Sequence, residues 1–334
     1  MGRQSMKTLF NFFIQSLYLK KYNDPDSNAN GGGNNMNIIL RHYLMLICLI
    51  TFTALFSLGG CAGKAMQNGL PAGKEDSLLI FAGAASKPPT ELAAAAFTEK
   101  TGVRVELIFG GSGYVLSQME LGKTGDLYFP GSSDYMEIAK EKELVYPKTE
   151  AYVVYLVNAI NVKRGNPYDI QNLRDLARPG LRVAIANPEG VCVGLYAVEI
   201  LENSFSPGEL ELLRANIVNY PESCEKTATA ISLDTVDAVI GWRVFEHWDP
   251  ERIETIPLQP EEIIRVGYIP IAVSTFTENK ELAGQFIQFI LSPEGQQFYK
   301  QYQYFATPEQ AFAYIGEDRP VGGYFELPEG WVVE

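Results

Sequence analysis

The sequence predicts an α/β protein made of two lobes. Apolar runs of strand length alternate with segments of helical pattern between residues 77 and 156, and the alternation repeats further along the chain. The length of 334 residues corresponds to about two domains. With 46% hydrophobic and 20% charged residues, the composition is that of a globular protein and excludes a polytopic membrane protein.

The first lobe begins with strands and helices in strict alternation. Its first helix has Pro88 and Pro89 in its first turn and Gly102 after its end, an asymmetry typical of helices. The predicted order is strand Leu78–Ala82, helix Pro88–Lys100, strand Val103–Phe109, helix Tyr114–Leu121, strand Asp126–Phe129 and helix Ser133–Lys142. This is the order of βαβ units.

The same pattern continues through the second half of the chain. The predicted strands there are Tyr152–Val157, Arg182–Ala186, Ala238–Trp242 and Gly267–Ser274. The predicted helices are Ile170–Ala177, Gly194–Glu202, Pro207–Ala215, Glu225–Leu233, Asn279–Leu291 and Pro293–Tyr302. A second α/β lobe follows from this repetition.

The amino-terminal sixty residues predict export. An uncharged apolar run, Tyr43–Leu58, follows Arg41 and is typical of a signal peptide, which we place at residues 36–60. The run ends in Leu58-Gly-Gly-Cys61, which resembles the lipobox of bacterial lipoproteins, so we expect lipidation of Cys61; an ordinary signal peptide is the alternative. Residues 61–76 are interpreted as a tether, and residues 1–35 as a misassigned extension with translation starting at Met36.

Charge and cysteine content exclude several function classes. The formal charge of −13 and the lack of basic runs argue against nucleic-acid binding. With Cys48 in the signal and Cys61 lipidated, Cys192 and Cys224 remain as a pair, for which a disulfide is predicted in an oxidising compartment. Two thiols that contact a soft ligand are the alternative. A single histidine, His247, after residue 60 argues against a zinc site, and no metal is expected.

Four loops lead from the end of a strand to the start of a helix. At such helix starts, unpaired backbone N–H groups and the helix dipole favour anions. Ser112 lies among glycines in one of these loops, where the chain can approach a ligand closely. The loops are Gly83–Lys87, Gly110–Gly113, Asn187–Val193 and Pro221–Cys224. Together they predict an anion site at the sheet edges.

The residues of these loops resemble those of the molybdate-binding proteins of bacterial ABC importers. The resemblance extends from Leu79 to Phe298 and includes Asn187–Ala197 and Asp237–Trp242. It implies a type II periplasmic-binding-protein fold, that is, two α/β lobes with a ligand cleft and a two-segment hinge. We assign residues 77–156 plus 268–334 to lobe one, with the tail from Thr307 packed on it, and residues 157–267 to lobe two.

Site residues carried over from this resemblance would bind a tetrahedral oxyanion, molybdate or tungstate. They are Ser86, Ser112, Val193, Cys224 and Trp242, with Ala85, Gly113, Cys192 and Arg243 as possible further contacts. Trp242 departs from the family pattern, in which a tyrosine faces the ligand. Because an indole donates a hydrogen bond but cannot accept one, the pocket is expected to differ in shape.

The implied function is that of a lipid-anchored solute-binding protein that delivers its anion to a permease and its ATPase. It would lie in the periplasm or at the outer face of the cytoplasmic membrane, as a monomer without a cofactor. The same scaffold could bind sulfate, phosphate, ferric ion or a small organic acid, or serve as a membrane-tethered sensor subunit. An enzyme is not expected, since Gly110–Tyr114 lacks the last glycine of a Gly-x-Ser-x-Gly elbow.

Overall fold

The computed structural model describes residues 77–331. The predictions for residues 1–35, 36–60 and 61–76, including the signal peptide and the lipidation of Cys61, lie outside the described residues. Among residues 77–331, no helix combines the length and the apolar character that a membrane span requires.

Strands and helices follow one another largely as predicted. In residues 77–331 the strands are β1 (Ser77–Gly83), β2 (Arg104–Gly110), β3 (Leu127–Phe129), β4 (Ala151–Leu156), β5 (Asn158–Lys163), β6 (Val183–Ile185), β7 (Ile217–Asn219), β8 (Ala238–Trp242), β9 (Ile253–Pro257) and β10 (Gly267–Val273). The helices are α1 (Lys87–Thr101), α2 (Ser112–Gly122), α3 (Ser133–Glu141), α4 (Cys192–Ser204), α5 (Pro207–Asn216), α6 (Cys224–Ser232), α7 (Phe245–Trp248), α8 (Lys280–Leu291), α9 (Pro293–Gln301) and α10 (Pro308–Ile315).

Each of the two lobes is built on a mixed five-stranded sheet. The first sheet has the order β2-β1-β3-β10-β4, and the second has the order β7-β6-β8-β5-β9. In the first, β1 pairs in parallel with β2 and β3, whereas β10 is antiparallel to both of its neighbours. The chain passes to the second sheet between Leu156 and Asn158 and returns between Pro257 and Gly267. These two passages are the predicted two-segment hinge.

Several elements differ from the prediction. The predicted helix Ile170–Ala177 is a 3₁₀ helix over Leu173–Ala177, whose start is fixed by a capping box between Asn172 and Asp175. Strands β5, β7 and β9 were not predicted. Strand β7 has three residues, too few for a periodic signal, and β5 carries the buried Asn158 and Asn161 at positions where an apolar run would be expected.

The hydrophobic core consists of two clusters of buried residues. The first fills lobe one and also contains the surface of lobe two that faces it, including Val193, Cys224 and Trp242. The second lies on the far side of lobe two, around Ile160 and Leu201. The two lobes therefore share apolar contacts across the cleft, as in a closed conformation.

The C-terminal segment packs on both lobes. The N–H of Phe325 donates to Asp134 of lobe one, on which the tail is predicted to pack, and Ala311, Ile315 and Trp331 belong to the hydrophobic cluster of lobe two. Helix α10 places Ala311 and Ile315 one turn apart on one face, which explains how a short helix contributes two core residues. The guanidinium of Arg214 lies 3.9 Å from the centre of the Trp331 ring.

Candidate functional site

Three of the four predicted loops meet around the backbone of Gly131 in the cleft. A Cβ atom placed on Gly131 would lie 2.6 Å from Ala85 Cβ, 2.6 Å from Cys192 Sγ and 3.5 Å from Ser112 Oγ. The fourth loop joins them because Cys224 Sγ lies 3.7 Å from Cys192 Sγ. Only glycine fits at residue 131, so its backbone contacts both lobes.

Ser112 is the first residue of α2 and is 1% exposed. Its Oγ accepts a hydrogen bond from the backbone N–H of Gly131 at 2.9 Å. Tyr128 Oη donates to the Ser112 carbonyl at 2.9 Å and holds the start of the helix in place. The next amide, of Gly113, donates to the carbonyl of Gly190 in lobe two at 2.9 Å. The second loop therefore contacts lobe two directly.

In the first loop, Ala85 faces the site centre and Ser86 does not. The Ser86 hydroxyl forms a hydrogen bond with Thr90 Oγ1 at 3.1 Å, and Thr90 Oγ1 lies 3.0 Å from Tyr299 Oη. The Ala85 carbonyl accepts a hydrogen bond from Tyr304 Oη at 2.7 Å. In the structure, Ala85 is therefore the residue of this loop that lies next to Gly131.

Lobe two contributes the starts of α4 and α6. Cys192 and Cys224 are free thiols whose Sγ atoms are 3.7 Å apart, longer than the roughly 2.05 Å of a disulfide bond. The predicted disulfide is therefore absent from the structure. Burial raises the pKa of the Cys224 thiol, and the neighbouring Cys192 raises it further. The indole N–H of Trp242 and the backbone N–H of Val193 partly lower the pKa of this thiol.

Trp242 is the last residue of β8 in lobe two. It is fully buried, and its ring packs edge-on against Tyr196 with centroids 5.1 Å apart. Its buried Nε1 makes no hydrogen bond of good geometry with the described residues. Arg243, a possible contact in the sequence prediction, points elsewhere: its guanidinium lies over the rings of Phe305 and Tyr314 at 4.4 and 5.0 Å.

One residue that closes the site, Gly131, lies outside the four predicted loops, whereas Gly111 lies inside the second of them. Gly131 follows β3 and precedes α3, so it belongs to a fifth loop from a strand to a helix, the same pattern that identified the other four. Gly111 packs against lobe two, where an added Cβ would lie 2.6 Å from the Gly190 carbonyl oxygen and 2.9 Å from that of Glu222. A glycine soon after the end of a strand was the signal that could have identified Gly131 as well.

The rim of the site carries charge, whereas its centre does not. Lys87 of lobe one forms an ion pair with Glu225 of lobe two at 2.6 Å. A groove of about 520 Å³ lies along the same rim, lined by Tyr114, Gln118, Glu222 and Lys226 among others. In residues 77–331, no three His, Cys, Asp or Glu side chains are grouped so as to hold a metal ion.

A buried charged cluster connects the lobes behind the site. Arg265, which precedes β10, donates to both oxygens of Asp134 at 2.9 and 3.1 Å and to Glu199 at 2.7 Å. Asp134 belongs to lobe one and Glu199 to lobe two. The C-terminal segment joins this cluster, since the carbonyl of Gly323 accepts from Arg265 and the N–H of Phe325 donates to Asp134.

Comparisons with known proteins agree with this architecture. Residues 78–304 match the family model of the bacterial extracellular solute-binding proteins. A Haemophilus influenzae protein named as a binding protein is 25% identical over 225 residues, covering 66% of this chain and 88% of that protein. The molybdate-binding protein ModA of Mycobacterium tuberculosis is 25% identical over 232 residues, covering 67% of this chain and 83% of that protein.

Two solved structures share the fold. The periplasmic molybdate-binding protein of Azotobacter vinelandii aligns with a TM-score of 0.59 and 19% identity, covering 69% of this chain and 99% of that one. The sulfate-binding protein SubI of Mycobacterium tuberculosis aligns with a TM-score of 0.61 and 18% identity, covering 74% and 93%. The type II periplasmic-binding-protein fold and the resemblance seen in the sequence are confirmed, and the chain belongs to the bacterial extracellular solute-binding proteins.

Proposed function

We propose that the protein is the solute-binding component of an ABC importer and that it binds a tetrahedral oxyanion, molybdate or tungstate, in the interlobe cleft. The observation that carries this proposal is the meeting of the helix starts at Ser112, Cys192 and Cys224 around Gly131. The named molybdate-binding relatives support the choice of ligand. The closed form would deliver the anion to a permease and its ATPase.

The chemistry of the wall favours an anion. The donors are backbone N–H groups at helix starts, the Ser112 hydroxyl and the Trp242 indole N–H, and helix dipoles add positive potential. The residues that surround Gly131 in the structure, Ala85, Ser112 and Cys192, include no carboxylate. The absence of a carboxylate from this group avoids charge repulsion with a dianion such as molybdate or tungstate.

Sulfate is the second candidate. The aligned sulfate-binding protein has the same fold, and sulfate is also a tetrahedral dianion. Trp242 replaces the ligand-facing tyrosine of the molybdate-binding pattern, so the width of the pocket decides between the ions. Export and anchoring through a lipidated Cys61 belong to this proposal and would keep the protein near its permease.

The test is calorimetric and thermal-shift titration of the purified protein with molybdate, tungstate, sulfate, phosphate and ferric citrate. A ligand at a hundred times its Kd stabilises the fold by about 2.7 kcal/mol. We expect this response for molybdate or tungstate, and we expect Ser112→Ala to lose it. Ser117→Ala, an exposed serine on the same helix, is the matched control and should respond as the wild type does.

Other results of this titration would identify a different ligand or refute the oxyanion site. A response to sulfate alone would establish the second candidate. If no tetrahedral anion stabilises a protein that melts cooperatively, the oxyanion proposal is wrong. Because Ser112→Ala removes the bond from Gly131, melting of the unliganded variant is compared first, so that a folding defect is not read as lost binding.

A further inference from the structure

We propose that Cys192 and Cys224 form a reversible dithiol–disulfide pair in the ligand-facing wall of lobe two, and that its oxidation strengthens anion binding. The first part rests on the geometry of the two thiols. The second part rests on the proposed function, because it concerns the affinity of the same cleft.

The thiols are placed for bond formation. Cys192 is the first residue of α4 and Cys224 is the first residue of α6, and each is 1% exposed. Their Sγ atoms are in contact at 3.7 Å, although 32 residues separate them in the chain. A disulfide requires the sulfurs to approach to about 2.05 Å, a change that two cysteine side chains in contact can make largely by rotation.

The pair lies where it can affect the ligand. Cys192 Sγ faces Gly131 of lobe one, at the point where the loops of both lobes meet. The backbone N–H groups that we propose as anion donors belong to the same two helix starts, those of α4 and α6. The buried Nε1 of Trp242, in the same lobe, has no hydrogen-bond partner among the described residues. A change at the sulfurs therefore changes the surface that meets the anion.

The chemical step is thiol–disulfide exchange. A disulfide of another molecule, such as oxidised glutathione or a dithiol–disulfide oxidoreductase, accepts two electrons. Cys192 and Cys224 each lose a proton, one S–S bond forms between them, and the partner disulfide is released as two thiols. Exported proteins meet such oxidants, so the pair can be converted in its compartment.

Oxidation should tighten binding through preorganisation. The bond would fix the start of α4 relative to the start of α6, so less freedom would be lost when their N–H groups converge on an anion. We expect the Kd to fall by about three- to tenfold. The sulfurs are buried when the lobes are closed, so a bound anion should also slow the exchange reaction.

The first measurement is the state of each cysteine in the full chain. The purified protein is equilibrated in reduced and oxidised glutathione, alkylated and digested with trypsin. Cleavage after Arg182, Arg214 and Lys226 places Cys192 and Cys224 in two different peptides. We expect these peptides to be joined, with the loss of two hydrogens, under oxidising conditions and separate under reducing conditions. Two alkylated cysteines under both conditions would overturn the proposal.

The second measurement is the Kd of both redox forms for molybdate, tungstate and sulfate. The wild type should bind more tightly when oxidised, whereas Cys192→Ser and Cys224→Ser should each show the same Kd in both buffers. Equal Kd values for the two forms of the wild type would refute the link to binding. The failure of the proposed function looks different: no anion would bind in either form, while the peptide result would stand by itself.

Discussion

At the scale of single residues, the site depends on glycines whose backbone lies in close contact with the other lobe. Gly111 and Gly131 allow the lobes to touch, and neither needs a left-handed conformation; Gly111, for example, has φ −61° and ψ 141°. An alanine at residue 111 therefore meets no backbone strain of its own. It would change the contact with lobe two and the position of the Tyr114 ring.

Gly111→Ala should weaken anion binding, which needs the lobes to close, while leaving the stability of the fold nearly unchanged. Its Cβ would lie within 3 Å of the carbonyl oxygens of Gly190 and Glu222, both backbone atoms of lobe two, and within 3 Å of Cδ2 of Tyr114, a side chain of lobe one that can shift more easily than backbone. We expect the anion Kd to rise at least about tenfold while the free energy of unfolding changes by less than about 1 kcal/mol. Calorimetry and urea unfolding measure the two quantities.

Gly208→Ala is the control for this variant, because a Cβ at residue 208 meets open space in α5. It should leave the anion affinity unchanged. If Gly111→Ala binds the anion as the wild type does, the contact between Gly111 and lobe two is not needed for the binding-competent form.

The sequence predicted some site residues better than others. Ser112 could be predicted to lie in the cleft, because a serine between glycines at a helix start is a pattern of neighbouring residues that the sequence shows directly. The position of Ser86 could not be read from the sequence, since it depends on a hydrogen bond to Thr90 and on the contact of Thr90 with Tyr299, more than 200 residues away. The orientation of Arg243 could not be predicted either, because its guanidinium packs on Phe305, a residue distant in sequence. The roles of these residues in binding stay predictions.

At the scale of elements, the C-terminal segment contacts lobe two as well as lobe one. It lies beyond residue 304, where the family model ends, yet Ala311, Ile315 and Trp331 complete the hydrophobic cluster of lobe two. The sequence could show that α10 has an apolar face but not which lobe covers it. Strand β7 was missed because three residues carry no period, whereas β1 and α1 were predicted because their signals span whole elements.

Trp331 should be the main packing anchor of this segment. It is 2% exposed, lies under the Arg214 guanidinium and donates through Nε1 to Glu202. Trp331→Ala should lower the free energy of unfolding by about 3 kcal/mol. Urea denaturation tests this, with Tyr324→Ala as the control, since Tyr324 is 62% exposed. An equal loss in both variants would contradict the assignment.

At the scale of the whole molecule, the two lobes are connected by charge as well as by chain. The alternation of strands and helices was enough to predict two α/β lobes. It could not predict the Arg265 cluster, whose three members are far apart in sequence. The cluster buries two carboxylates, Asp134 and Glu199, with one guanidinium, Arg265. The excess negative charge is unfavourable in a buried environment.

Glu199 should make stability depend on pH in a defined direction. Burial raises the pKa of its carboxyl above the ordinary 4.5, although Arg265 partly lowers it. The folded state therefore holds this proton to higher pH than the unfolded state does. Its contribution to stability is complete below about pH 4.5 and is lost as the pH rises through the raised pKa.

Comparison with Glu199→Gln isolates this contribution. The free energy of unfolding of the wild type, minus that of Glu199→Gln, should decrease as the pH rises from about 4.5 towards neutrality. Urea unfolding at several pH values gives this difference, and Glu251→Gln, which changes an exposed carboxylate, is the control for net charge. If this difference in free energy stays constant or increases with pH, the folded protein does not raise the pKa of Glu199 and the prediction is wrong.

The packing of Trp331 on lobe two also determines when the protein can fold during its synthesis. Lobe one requires β10, which follows the whole of lobe two in the chain, and lobe two requires a residue that follows β10. Domains usually fold one after another as a ribosome releases them. Lobe one is therefore incomplete until β10 has left the ribosome, and lobe two until residue 331 has left it, so the two lobes cannot finish folding one after the other during synthesis.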